Sequence, residues 1–324
     1  LVAAARDKRA ARVASQCYRQ VMKVMENVES FDQFRFLDEA PAFEFEYWPL
    51  DLARLREPEP ELSSRVVLVT GGASGVGRAI AARFAREGAH VMITDLEGEG
   101  ALRAAEEISR EVGDPLRVLG LKADATSEKE TAETFARTVE AFGGLDILVC
   151  NAGVVEAAPV ETISEASWDR HFDVNVKGYW LAAREAVKIM KAQGGGSIVF
   201  NASKAAFAPT AGNSAYASSK AAVAALARNL ALELAPISIR VNYFNADFVD
   251  TPLMRRLISE RAAQKGIPPE KQEEEYRQRN LLGVGPIPPE AVAEAALFLA
   301  GDRARYTTGS VVTIDGGLRD AMPR

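Results

Sequence analysis

The sequence predicts an α/β fold, a doubly wound seven-stranded parallel sheet with helices on both faces, and three observations carry that expectation. From Arg65 onward, short β-branched runs alternate with stretches of helical spacing. The strand runs are almost continuously apolar, as in Val66-Val-Leu-Val-Thr70, which suits strands covered on both faces rather than on one. The first run also passes straight into a glycine-rich turn that opens a helix, the layout of a phosphate-binding unit.

Taken in order, Val66 to Thr70 is the first strand and Arg78 to Glu87 its helix. Ala89 to Thr94 is strand two, Gly100 to Glu111 a helix, Leu116 to Leu121 strand three and Ser127 to Phe142 a helix. Leu145 to Cys150 is strand four, Trp168 to Gln193 one long helix, Ser197 to Asn201 strand five and Ser214 to Ala235 a helix. Ile237 to Tyr243 is strand six and Ser310 to Ile314 strand seven. One domain from about 62 to 324 holds the whole pattern. Between the last two strands lie two charged helical pieces, Thr251 to Lys265 and Pro269 to Arg279. Their charges suit a solvated face, and their place past the carboxyl ends of the strands suits a mobile cover over a ligand.

Residues 1–61 read differently. Ala4 to Glu29 has helical spacing, and Phe31 to Phe36 and Ala42 to Leu52 are aromatic-rich without glycine. Arg56 to Leu62, with Pro58 and Pro60, has the composition of an extended linker. A helix and an aromatic stretch of this size cannot bury a core alone, so they are expected to pack on the following domain or on one upstream. The chain opens on Leu, which points to a piece of something longer.

Composition narrows the function classes. A net charge of −6 with mixed signs gives no basic footprint for nucleic acid. There is no apolar run of membrane-spanning length and no signal-peptide order at the start, so a cytoplasmic location is expected. Cys17 and Cys150 are the only cysteines, which suits a reducing compartment. The only histidines, His90 and His171, argue against a metal site and against a His-activated nucleophile.

Two constellations carry chemistry. In Thr70-Gly71-Gly-Ala-Ser74-Gly75-Val76-Gly77, the missing Cβ atoms suit a tight turn at Gly71, close approach of a pyrophosphate at Gly75 and helix-on-strand packing at Gly77. Asp95 lies eighteen residues beyond Gly77 at the end of strand two, where a carboxylate accepts from ribose hydroxyls and repels a 2′-phosphate, favouring NAD over NADP. Asp124, followed by Ala125, serves either the adenine or the cap of the helix at Ser127. The second constellation is Ser203 with Tyr216 and Lys220, the last two one helical turn apart on one face. An ammonium there favours the phenolate and makes tyrosine a usable proton acceptor.

Together, Thr70-Gly71-x-x-x-Gly75-x-Gly77, Asn151-Ala152-Gly153, Asn175, Ser203, Tyr216-x-x-x-Lys220 and Val249-x-Thr251 resemble the short-chain dehydrogenase/reductase family, over about 260 of the 324 residues. The resemblance implies a Rossmann fold, NAD as cofactor and usually a homo-oligomer, a dimer or tetramer. It makes Tyr216 the catalytic acid/base and gives Lys220 the nicotinamide ribose. It places Ser203 on the substrate oxygen, Asn175 on a relay water, and Asn151, Ala152, Gly153, Val249 and Thr251 along the cofactor. The chain departs from the family where Pro-Gly usually follows the sixth strand, reading Asn245-Ala-Asp247-Phe-Val249. Asp247 there either recognises substrate hydroxyls or nicotinamide, or caps the following turn. With Phe45-Glu-Tyr-Trp-Pro-Leu-Asp-Leu52 and Tyr276-Arg-Gln-Arg-Asn-Leu-Leu282, it resembles the dehydrogenase half of bifunctional class II aldolase/short-chain dehydrogenases of the rhamnulose-phosphate type. That half is associated with lactaldehyde and rhamnose catabolism, and the first 60 or so residues would be the tail of an upstream aldolase domain. The alternative, a non-catalytic NAD-binding module, has no use for Asn175, Ser203, Tyr216 and Lys220 together.

Overall fold

Strands β1 (Val66–Thr70), β2 (His90–Asp95), β3 (Val118–Lys122), β4 (Ile147–Cys150), β5 (Gly196–Asn201), β6 (Ile239–Ala246) and β7 (Val311–Ile314) form one sheet in the computed structural model. The structure describes residues 8–28 and 60–321. The strand order is β3-β2-β1-β4-β5-β6-β7, and every pairing is parallel. The sequence reading of a seven-stranded doubly wound α/β fold is therefore correct. Chain direction across the sheet reverses between β1 and β4, and that switch point opens a crevice at the carboxyl ends of the strands.

The chain divides into two compact units, residues 1–64 and 65–324. The first contains helix α1 (Lys8–Val28), inside the expected span from Ala4 to Glu29. The aromatic segments at 31–36 and 42–52 and most of the linker at 56–62 lie outside the described residues.

In the second unit, helices α2 (Gly75–Arg86) and α3 (Gly98–Glu111) follow β1 and β2, and α4 (Glu128–Phe142) follows β3. The crossover from β4 to β5 differs from the expected single helix over Trp168 to Gln193. It is α5 (Glu165–Phe172), a π-helical turn (Asp173–Lys177) and α6 (Gly178–Gln193). Apolar spacing cannot reveal a π insertion, which adds one residue per turn without breaking the helix and often marks a functional position. Helix α7 (Ser214–Leu234) continues into a 3-10 turn over Ala235–Ile237, and Ser238 then takes a left-handed φ of +59°. Strand β6 therefore starts at Ile239 rather than Ile237, and pairing with β7 extends it past Tyr243 to Ala246. Similarly, a turn closed by Arg117 N–H on Asp114 O delays β3 from Leu116 to Val118.

Helices α8 (Pro252–Lys265) and α9 (Pro269–Gln278) are where the sequence places them. A third, α10 (Pro289–Ala300), has no counterpart in the sequence reading, although Pro at its first position and Gly301 after its end are ordinary boundary signals. It buries Val292, Ala293, Ala296, Leu297 and Leu299 and packs beside α2. On the opposite face, Phe135 of α4, Tyr179, Ala183 and Met190 of α6 and Val223, Ala227 and Leu234 of α7 close over Leu68, Leu148, Ile198, Phe200 and Val241. Alanines at 182, 183, 186, 224, 227 and 231 let helices and sheet approach closely, so the strand ends that carry the site are held on a dense support.

Candidate active site

At the carboxyl ends of the strands lies a cavity of about 1060 Å³. Its wall includes Gly71, Ser74, Gly75, Val76, Asp95, Asp124, Ala125, Asn151, Ala152, Gly153, Ser203, Tyr216, Lys220, Asp247, Val249 and Thr251. Gly77 and Asn175 are not on the wall and act from behind it.

One end is built from backbone. Gly71 and Gly75 have φ of +65° and +54°, which L side chains rarely adopt. A Cβ on Gly77 would land on the Gly71 carbonyl oxygen, so the helix can start this close to the strand only because it carries none. Asp95 holds the loop, with one carboxylate oxygen accepting from Ala73 N–H at 3.1 Å and the other from Glu97 N–H at 3.1 Å. From the other side, Asn151 donates its side-chain amide to Thr70 O (3.2 Å) and Gly71 O (2.9 Å), while its Oδ1 accepts from Asn201 Nδ2 at 2.9 Å. The Thr70 hydroxyl accepts from the N–H groups of Asn151 and Ala152. The result is a side-chain-poor cradle at the N-terminus of α2, a fit for the pyrophosphate of a dinucleotide. Asp124 does not cap α4. Ser127 does, accepting from Glu130 N–H, and Asp124 instead accepts from the N–H and hydroxyl of Thr126 at 2.8 Å.

The other end is built from side chains. Ser203 starts a 3-10 turn after β5, its Oγ accepting from Ala205 N–H at 3.1 Å, and it shares the cavity wall with Tyr216. Tyr216 and Lys220 sit one turn apart on α7. Lys220 Nζ donates to Asn201 O at 2.8 Å and to Tyr179 OH at 3.4 Å, and stands 5.2 Å over the Tyr179 ring. Asn175, in the π turn, is fully buried. Its amide donates to Val154 O and to Ser219 Oγ, each at 3.0 Å, and its Oδ1 accepts from Val154 N–H at 2.9 Å. Both side-chain donors are committed to the protein, so Asn175 ties the loop after β4 to α7 rather than offering its amide to the cavity.

Electrostatics correct one expectation. In sequence, the ammonium of Lys220 is expected to draw the phenol of Tyr216 down, but burial acts on both groups. It holds Tyr216 above the usual phenol value, the nearby Ser203 hydroxyl pulls it back, and the Asp247 carboxylate pushes it further up. Burial also brings Lys220 down to about 7, with the buried Cys150 thiol opposing. Around neutral pH the ammonium is thus only partly charged, too weak a source to offset desolvation of the phenol. Cys150 itself is driven well above the usual thiol range by burial, which suits a structural residue.

Comparison with known proteins identifies the architecture. A family model described as enoyl-(acyl carrier protein) reductase matches residues 71–319. The chain belongs to the short-chain dehydrogenase/reductase family. A second model, described as aldolase class II, second domain, matches residues 1–55. This short-chain dehydrogenase/reductase is 40% identical over 322 residues to the uncharacterized oxidoreductase YuxG of Bacillus subtilis, covering 97% of this chain and 46% of that protein. It thus spans less than half the length of that relative. It is 34% identical over 261 residues to levodione reductase of Leifsonia aquatica, covering 80% of this chain and 96% of the other. A crystal structure of levodione reductase superposes with a TM-score of 0.75 at 33% identity, over 80% of this chain and 98% of that one. A polyketide ketoreductase solved with NADPH gives a TM-score of 0.75 at 29% identity, over 78% of this chain and 97% of the other.

Several residues at the site of this dehydrogenase carry no local signal in sequence. His171 accepts from Glu156 N–H at Nε2 (3.0 Å) and donates from Nδ1 to Ser167 O (2.7 Å), with its ring 6.3 Å from that of Tyr216. The backbone donor at Nε2 fixes the Nδ1–H tautomer. Tyr179 shares Asn201 O with Lys220, donating to it at 3.2 Å. Lys204, Arg261 and Tyr276 line the cavity, reached from three separate segments, whereas His171 and Tyr179 stand behind its wall. Phe248, beside Asp247, holds a left-handed φ of +49°, rare for a bulky residue, with its ring stacked on Tyr276 at 5.2 Å.

Proposed function

We propose that this oxidoreductase uses NAD to interconvert a small hydroxylated alcohol and its carbonyl compound, with Tyr216 moving the proton. The observation that carries the proposal is Ser203, Tyr216 and Lys220 together on a cavity wall continuous with the glycine cradle. A bound oxidised nicotinamide dinucleotide would supply the hydride acceptor and a positive charge beside Tyr216 and Lys220. The cradle at Gly71, Gly75 and the start of α2 would hold its pyrophosphate, and Asp95 its adenosine ribose, where a carboxylate disfavours a 2′-phosphate. In the oxidation direction Ser203 orients the substrate hydroxyl and the Tyr216 phenolate takes its proton, leaving the carbon free to lose hydride and become the carbonyl. In reduction the phenol returns the proton to the carbonyl oxygen. Lys220, anchored by Asn201 O and Tyr179, directs its remaining N–H to the nicotinamide ribose, and Asn175 fixes the π turn behind Tyr216 through Ser219, whose hydroxyl donates to Tyr216 O at 2.8 Å.

The match at residues 1–55 supports the further reading that these residues end an upstream class II aldolase domain and that residues 62–324 form the dehydrogenase domain. Lactaldehyde, which such an aldolase releases, is then a candidate substrate, and as its hydrate it presents the hydroxyl and transferable hydrogen of an alcohol. A homo-oligomer, dimer or tetramer, is proposed on the family resemblance.

The test is a panel of small alcohols, polyols, hydroxy acids and aldehydes incubated with the full chain and NAD or NADP, following absorbance of the reduced nicotinamide. NAD-linked turnover of at least one small hydroxylated compound is expected. Turnover of none, or turnover only with NADP, overturns the reading.

A further inference from the structure

We infer that the substrate carries an anionic group, a carboxylate or a phosphate, held by Lys204 and Arg261 at the far side of Tyr216 from the cofactor cradle. The inference rests on the NAD-linked reading above and narrows its substrate class to anionic hydroxy compounds, away from neutral ones such as lactaldehyde.

Both cations line the cavity. Lys204 follows Ser203 directly and is only 7% exposed, yet its ammonium makes one hydrogen bond, to Ala208 O at 3.3 Å. Arg261, on α8, donates to Tyr276 OH and to Asn213 Oδ1 at 3.2 Å, two neutral acceptors that position the guanidinium without neutralising it. Asn213 is the residue before α7, so Arg261 is tied to the start of the helix that carries Tyr216. Neither cation makes an ion pair with a carboxylate among the described residues.

A buried ammonium with free donors is costly unless an anion completes it. The nearby acid on the wall is Asp247, whose own carboxyl is pushed up by burial and drawn down by Lys204 and Arg279. Arg279 adds a third cation 5.9 Å from the Tyr276 ring, while Asp315 and Asp320, in the segment after β7, act at longer range without lining the cavity. Of the other charged residues on the wall, Arg170, Arg256, Asp169 and Asp173 among them, none forms an ion pair with Lys204 or Arg261, and Asp247 is the wall carboxylate that acts on Lys204. A planar guanidinium fork together with an ammonium is the donor set that carboxylates and phosphates bind, whereas a neutral diol would leave the buried ammonium and the half-buried guanidinium uncompensated. Phe248, Met254 and Leu257 add apolar wall to the same cavity.

Three probes of matched size decide the matter with the full chain and NAD: propane-1,2-diol as neutral probe, glycerate as carboxylate and glycerol 3-phosphate as phosphate ester. At least one anionic probe is expected to exceed the diol in kcat/KM by about 10- to 100-fold. Lys204→Met and Arg261→Gln should remove that advantage while leaving the diol within about threefold, and Arg261→Lys should keep part of it. The better of the two anionic probes names the group. A diol oxidised as well as either anion, or variants that slow all three probes equally, overturns the inference while NAD-linked turnover stands. If no probe turns over, malonate and inorganic phosphate are titrated calorimetrically into the NADH-loaded protein and into Lys204→Met, with circular dichroism checking the fold. Saturable binding weakened about tenfold or more in the variant upholds the subsite even though the oxidoreductase reading has failed. Absent or equal binding overturns it.

Discussion

The two ends of the cleft are built on different principles. At the cradle end, shape comes from backbone: positive φ at Gly71 and Gly75, a missing Cβ at Gly77, and side chains of Asp95 and Asn151 spent on holding the loop. At the far end, shape comes from buried and half-buried side chains, Ser203, Lys204, Tyr216, Lys220, Asp247 and Arg261, that meet from the segments after β5 and β6 and from α7 and α8. The first end suits a ligand that never changes. The second gathers ionisable groups under heavy desolvation, where one substitution alters charge and hence substrate and pH response.

The largest expected effect separates function from stability at the far end. Lys220→Met should lower NAD-linked turnover by about 10³-fold. Folded Lys220 titrates at about 7 against an ordinary 10.5, so between those values the unfolded chain binds more protons. Stability therefore rises with pH across that window, and below about 7 the buried ammonium costs its full amount, on the order of a few kcal/mol. Lys220→Met removes this cost while Asn201 O keeps the Tyr179 hydroxyl as partner. The variant should melt above the wild type at about pH 6 and lose that advantage as pH rises toward 10.5, which thermal unfolding across pH measures. A variant that melts lower at every pH would show that the lysine is held by more than these contacts.

At the cradle end a smaller change is expected. Asp95→Asn keeps an acceptor for one of the two loop N–H groups and removes the charge, so the kcat/KM ratio of NAD over NADP should fall about tenfold. An unchanged ratio would restrict Asp95 to holding the loop. Smallest is the effect of Asp247→Asn. The carboxylate raises the Tyr216 phenol, so its removal should shift the alkaline rise of the oxidation rate to lower pH by about half a unit. A rise that stays in place would mean that Asp247 is not felt at the reacting proton.

The contrast also explains what is legible in the sequence. Glycine spacing and Tyr216-x-x-x-Lys220 are local patterns on elements whose periodicity is plain, so the fold and both constellations can be read directly. Lys204, Arg261 and Tyr276 look like ordinary solvated charges and packing, because only the tertiary fold brings α8 and α9 over the turn after β5. The direction of the Tyr216 shift is hidden because burial, invisible in sequence, dominates the phenol and also lowers the helical neighbour to about 7. Asn175 reads as a water ligand in sequence, whereas in the fold its amide is committed to Val154 and Ser219, and the π turn that places it has no apolar signature.

The central claim is that Tyr216 moves the proton at a cofactor site that does not depend on it. Tyr216→Phe keeps the ring and removes only the hydroxyl, so NADH binding, followed by fluorescence titration, should stay within about twofold of wild type while NAD-linked turnover falls by about 10³-fold or more. A Tyr216→Phe protein that binds NADH normally and turns substrate over at the wild-type rate would contradict it.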